Sequence, residues 1–177
     1  MVYAGCKKST SDDNPPRDCT WSTVFSDDFN RADGPIGSNY YEVFSGTGFA
    51  DIFSNQLRVS TTNCYWAICY GTEVDGNKTR ASIECRIPDT GGPHAFAIGG
   101  KFTNAGQIAQ TGYLGSVGPG RVSIYKVTGA GYPAEMAGDN YTLLAGHTYL
   151  LVLTFDENVF TLTISKRYAA RIRERFG

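Results

Sequence analysis

The amino-acid sequence predicts an all-β protein: a two-sheet antiparallel sandwich with an extended N-terminal arm and a short C-terminal helix. Three observations predict it. Runs with a period of two recur along the chain, most cleanly over residues 80–88, where Ala81, Ile83, Cys85 and Ile87 alternate with Ser82, Glu84 and Arg86. Turn signals separate these runs roughly every 8 to 12 residues, the rhythm of a sandwich. The composition includes 21 glycines, 11 tyrosines and 10 phenylalanines, which suits turns and strands better than helices.

Residues 1–20 mix Lys7, Lys8, Asp12, Asp13, Pro15, Pro16 and Arg17 with few apolar groups. Such a stretch buries too little surface to offset its own chain entropy, so it reads as an arm that orders against the domain's flank or an adjacent subunit. The domain begins near Trp21, which covers one end of the core. Val24, Ser26 and Asp28 then share one strand face, with Phe25, Asp27 and Phe29 on the other. Asn30, Asp33, Gly34, Pro35 and Gly37 supply turn chemistry.

Short strands follow at 40–44, 49–53 and 56–60. Residues 64–70 are apolar throughout, as in a strand buried on both sides, and Asp75-Gly76-Asn77 is a hairpin signal. In 94–102, Phe96 and Ile98 point inward, and Gly99-Gly100 marks a bulge or a close backbone approach. Residues 103–120 read as short edge strands and loops, 121–128 as a strand entered through Gly118-Pro119-Gly120, and 129–140 as a loop. The strongest hairpin comes last: 147–155 and 159–165 flank Asp156-Glu157-Asn158, with Phe160, Leu162 and Ile164 inward and Thr161 and Thr163 outward. About ten to twelve strands result. Long connections between non-neighbouring strands would make the sandwich a jelly roll.

Beyond Ser165 the period changes. Ile164, Tyr168, Ile172 and Phe176 recur every four residues, one side of a helix whose other side carries arginines, and Ser165 is a plausible cap. The predicted organisation is an arm (1–20), a sandwich (21–165) and a basic amphipathic tail (166–177).

A chain of 177 residues suits one domain with its own core. Its net charge of −1 argues against nucleic-acid binding. That sum hides an asymmetry: residues 166–177 hold Lys166, Arg167, Arg171, Arg173 and Arg175 against Glu174, leaving the rest of the chain acidic. An acidic body with a basic tail suggests that the tail docks on a partner, with Arg167, Arg171, Ile172, Arg175 and Phe176 as assembly contacts. No apolar run approaches a membrane span, and Tyr3-Ala4-Gly5-Cys6 follows no hydrophobic segment of the kind that precedes a lipoprotein cysteine. Cys6, Cys19, Cys64, Cys69 and Cys85 include no C-x-x-C pair and, with His94 and His147, show no zinc spacing. Cys6 with Cys19 could staple the arm in an oxidising setting; buried reduced thiols are the reading for Cys64, Cys69 and Cys85.

The motif Asp27-Asp28-Phe29-Asn30-Arg31-Ala32-Asp33-Gly34, continued by Gly37-Ser38-Asn39 and then by Ser54-Asn55-Gln56-Leu57-Arg58-Val59, resembles the opening of concanavalin A-like (lectin/glucanase, laminin G-like) jelly-roll domains, a form met in tailed-phage virion proteins. The resemblance spans about residues 23 to 165. It implies a non-enzymatic structural role on a phage head or tail, a virion-surface location, other virion proteins as partners, and a homo-oligomer, commonly a trimer. A secreted carbohydrate-binding module is the alternative it implies.

Sandwich glucanases carry three acids as E-x-D-x-E on one strand face, and a retaining glycosidase needs two carboxylates about 5 Å apart. Glu73-Val74-Asp75 runs instead into a hairpin, and Glu84 shares a strand face with Arg86. No nucleophile elbow or phosphate loop occurs. The sequence thus predicts no catalytic set. Surface glycans would use aromatic faces, with Tyr132, Tyr141 and Trp66 as candidates. Calcium is the one cofactor considered, on the oxygens of Asp28, Asn30 and Asp33, whose spacing is not that of an EF-hand.

Overall fold

The computed structural model describes residues 2–6, 22–38, 40–44, 47–62, 66–70, 78–87, 95–103, 111–129, 133–156 and 158–167. Among these there are fourteen strands and no helix. The pairings among these strands are antiparallel.

A five-stranded sheet is built from β1 (Val2–Cys6), β2 (Ser22–Ser26), β8 (Lys78–Arg86), β13 (Thr148–Asp156) and β14 (Val159–Arg167), in the order β14-β13-β8-β1-β2. A four-stranded sheet contains β9 (Phe96–Thr103), β10 (Thr111–Gly118), β11 (Arg121–Thr128) and β12 (Ala134–Asn140), in the order β12-β11-β10-β9. The strands β3 (Gly34–Pro35), β5 (Thr47–Phe53) and β6 (Gln56–Thr62) form a smaller sheet, and β4 (Tyr40–Phe44) pairs with β7 (Trp66–Tyr70).

The two larger sheets meet through one core. Ala81 from β8, Phe96 and Ile98 from β9, Val117 from β10, and Tyr149, Leu151, Leu153 and Phe155 from β13 are buried together with Ile87. Phe160, Leu162 and Ile164 pack against them from β14. This sandwich-like packing follows from the predicted alternation: β13 is buried at every second residue, and along β14 Thr161, Thr163 and Ser165 are exposed while the residues between them are half-buried.

Glycines let the sheets approach. A Cβ on Gly100 would lie 2.6 Å from the Phe155 ring, and one on Gly115 would run into Leu162. The predicted Gly99-Gly100 feature is therefore a close approach. It sits next to a bulge: Gly100 pairs with Tyr113 and Thr103 with Thr111, so Lys101 and Phe102 oppose the single residue Gly112, and Lys101 has φ 51°. The predicted turn between β10 and β11 also forms, with Gly120 at φ 79° after Pro119.

Four expectations are corrected. Residues 103–120 contain β10, an eight-residue strand inside the sheet rather than at its edge; its glycines hid the alternation, because the facing side chains need that space. Residues 129–140 contain β12, an edge strand exposed at all seven positions, which therefore lacks any apolar pattern to read. Part of the predicted arm, Val2–Cys6, is a strand between β8 and β2; the charged and proline residues at 7–17 masked a short apolar run, Val2-Tyr3-Ala4-Gly5-Cys6, that pairs with the domain's own sheet. Finally, Ser165 does not cap a helix. It lies in β14, which stays paired with β13 up to Arg167 opposite Thr148, so Lys166 and Arg167 belong to the sandwich and not to a tail. The rest of the arm (7–21) and of the predicted helix (168–177) lies outside the described residues, as do the hairpin residues 71–77.

Cys85 is a free thiol on the inner face of β8, packed against the core, and burial pushes its pKa up to about 11. The reactive thiolate is then scarce at neutral pH. Alkylation at pH 7.5, followed peptide by peptide by mass spectrometry, is expected to label Cys85 only after denaturation. Rapid labelling in the native protein would contradict this placement.

Candidate functional site

The motif that follows β2 folds around one carboxylate. The Asp27 Oδ1 accepts the Phe29 backbone N–H (2.8 Å) and Arg31 Nη1 (2.8 Å), while Oδ2 accepts Arg31 Nη1 (3.0 Å) and the Tyr40 hydroxyl (2.6 Å). Arg31 Nη2 donates onward to the Ile36 carbonyl at 2.5 Å. This clasp holds Phe29 at φ 60°, an unusual backbone for an aromatic residue. Phe29 is buried with Ile36, Tyr40, Ala50 and Ile52, and Phe25, Leu57 and Val59 pack on them, forming a second, smaller core. Tyr40 meets Phe25 edge-on at 6.2 Å, and the Arg31 guanidinium lies 5.6 Å from the Phe29 ring centre.

Partial burial works against ionisation of Asp27, but the bonds from Tyr40, Arg31 and the Phe29 N–H outweigh it and hold the carboxyl below its usual range. The unfolded chain therefore takes up the proton first as pH falls. The clasp contributes fully above about pH 5 and fades as pH drops through about 4 and below. Asp27→Asn is expected to lower stability at pH 7 by about 1–2 kcal/mol and to flatten the acid limb of stability measured by urea unfolding across pH 3–7. An unchanged acid limb would contradict the clasp.

The predicted calcium residues are placed apart in function. The Asp28 Oδ1 accepts the Asn30 backbone N–H at 3.0 Å, an Asx turn, whereas the Asp33 Oδ1 reaches across to accept the Ser54 backbone N–H at 2.8 Å. Among the described residues no group of three or more His, Cys, Asp or Glu is arranged to hold a metal ion.

Of the predicted glycan residues, Tyr141 is half-buried against the main core, edge-on to Tyr149 at 6.3 Å. Burial, then the neighbouring Tyr149, pushes its phenol pKa up. Trp66 opens β7 opposite Phe44, with its side chain outside the described residues, as is Tyr132. Among the assembly residues, Arg167 is exposed at the end of β14, and Arg171, Ile172, Arg175 and Phe176 lie outside the described residues.

A different surface was missed. On the outer face of the β5–β6 hairpin, Phe49 and Phe53 are 45% and 48% exposed, and Arg58 is held between Asp51 and both rings. Its Nε donates to Asp51 Oδ1 (2.9 Å) and an Nη to Oδ2 (2.6 Å), while the guanidinium sits 4.3 Å from the Phe53 ring centre and 5.1 Å from that of Phe49. Asp51 is held below its usual pKa by this hydrogen bonding. The signal was present: Phe49, Asp51 and Phe53 alternate with Ala50 and Ile52, which are buried. Reading that run only for its inward face hid the outward one.

Other carboxylates are also engaged by cations: Asp156 with Lys78 at 2.7 Å, and Glu135 with Arg121. No protein-family model matches the chain, and no curated protein matches it. Chemically, the described surface offers ion pairs and aromatic faces that can recognise a partner.

Proposed function

We propose that this chain is a non-enzymatic structural subunit of a phage particle, placed on the head or tail surface and built on a concanavalin A-like jelly roll. The observation that carries this reading is the Asp27–Arg31–Tyr40 clasp: the motif on which the resemblance rests spends its polar groups on locking a loop to a small core. A carboxylate saturated by an arginine, a tyrosine and a backbone N–H serves a scaffold, not proton transfer. The test is mass measurement at micromolar concentration together with binding to particles lacking the subunit. Oligomers, or a monomer that binds particles, support the reading; a monomer that does not bind sinks it.

A second reading, a carbohydrate-binding module, is favoured by the half-exposed Phe49 and Phe53 beside the Asp51–Arg58 pair, since sugar rings stack on aromatic faces and bond to fixed polar groups. Binding on a glycan array that is lost in Phe53→Ala would select this module; an array without signal would remove it.

A further inference from the structure

Among the described residues the two large sheets have four outer strands, and three of them are interrupted. In each of these the extra residue is on the outer strand. On β2 it is Val24, because Tyr3 pairs with Phe25 and Ala4 with Thr23. On β12 it is Met136, because Ile124 pairs with Ala137 and Tyr125 with Glu135. On β9 it is the Lys101–Phe102 step. Along β12, moreover, the Asn140 backbone N–H is taken by the Asp139 side chain at 2.7 Å. Bulges and self-capped N–H groups are the devices by which sheet edges avoid pairing with other chains.

The fourth outer strand, β14, has none of these devices. Its nine residues pair with β13 without a register shift and contain neither proline nor glycine. Its charged residues, Lys166 and Arg167, stand together at one end. Val159, at the other end, is 62% exposed, the most exposed of the large apolar side chains described. Phe160, Leu162 and Ile164 pack on the core yet remain half-buried. A long, regular edge of this kind is a template for a further strand.

We infer that β14 pairs antiparallel with β14 of a second copy, about a two-fold axis at Thr163, joining two five-stranded sheets into one. The register is self-complementary. Centred on Thr163, it spans the whole strand and sets Val159 against Arg167, Phe160 against Lys166, Thr161 against Ser165, Leu162 against Ile164, and Thr163 against itself. No like charges face each other; on the inner face Leu162 meets Ile164, and on the outer one Thr161 meets Ser165 and Thr163 meets itself. Pairing β12 with itself about its midpoint Ala137 would instead bring Glu135 against Asp139. The inference extends the homo-oligomer part of the reading above, replaces a three-fold by a two-fold contact, and stands without the particle role.

Light-scattering mass of the full chain is the test, with two substitutions at an exposed side chain that leave the β13–β14 pairing alone. The wild type is expected to be a dimer at micromolar concentration. Thr163→Lys sets two ammonium groups face to face at the axis and is expected to halve the mass with an unchanged circular dichroism spectrum. Thr163→Cys brings two thiols within disulfide reach and is expected to give a covalent dimer on oxidation, absent from the identically treated wild type. A monomeric wild type overturns the inference, whether the edge is covered by the chain's own C-terminal residues or left bare. So does a dimer that persists unchanged in Thr163→Lys, or one in which Thr163→Cys does not cross-link. If a monomer still binds particles, only the edge pairing fails; if it binds none, the structural reading fails as well.

Discussion

Phe155→Ala is expected to lower the unfolding free energy by about 3–5 kcal/mol, the usual range for truncating a buried phenylalanine. Phe155 is 1% exposed and stands where both large sheets and the last hairpin meet. Its ring lies 5.3 Å from that of Phe160 in an edge-on arrangement and 6.0 Å from that of Tyr113, which itself stacks on Phe160 at 4.3 Å. Truncation removes the centre of this aromatic trio, and the glycine opposite, Gly100, has no side chain with which to fill the gap. Urea unfolding followed by tryptophan fluorescence measures the loss as a lower midpoint with an unchanged slope. Leu144→Ala, at an exposed site, is the control and should stay within about 0.5 kcal/mol of the wild type. A Phe155→Ala loss as small as the control's would mean that the sheets do not pack through this ring.

Gly100→Ala is the complementary experiment, with an expected loss of about 1–3 kcal/mol from overpacking. The added methyl would lie 2.6 Å from one ring carbon of Phe155 and 3.0 Å from another, and that ring is enclosed. The two substitutions touch, so they are not expected to add. In the double variant Gly100→Ala/Phe155→Ala, the methyl enters space that the ring has vacated, and the combined loss should fall short of the sum by at least about 0.5 kcal/mol. Strict additivity in the same urea measurements would show that the close approach between β9 and β13 is absent.

How much was legible follows from how each element is buried. β8 and β14 could be read residue by residue because one face of each meets a core and the other meets water, and that contrast is the alternation itself. β12 was illegible for the opposite reason: with both faces exposed, Ala134–Asn140 carries no contrast between an inner and an outer side, and Gly138 and Asp139 look like loop residues. β10 was misread because Gly112 and Gly115 occupy positions where Phe102 and Leu162 leave no room for a side chain. Ser165 resembled a helix cap only while its partner was unknown; Leu150 across the ladder makes it a strand residue. At the site, the turn residues of the Asp27–Asp33 loop were identified, but not that Asp27, rather than Asp28 or Asp33, gathers the arginine and the tyrosine. Tyr40 lies thirteen positions away from it, and such a meeting has no period.

By itself, the sequence determined the class of the protein: alternating strands, glycine- and asparagine-rich turns, and a last hairpin with Phe160, Leu162 and Ile164 on its inner side. Those features are local, because strand periodicity and turn conformation are set by residues within a few positions of one another. Only the tertiary structure decided which strand became an interior neighbour and which an edge, which carboxylate became the clasp, and that Phe49, Phe53 and Arg58 share one surface. Those outcomes depend on cross-strand register and on the space one sheet leaves for the other, and neither is carried by any short stretch of chain.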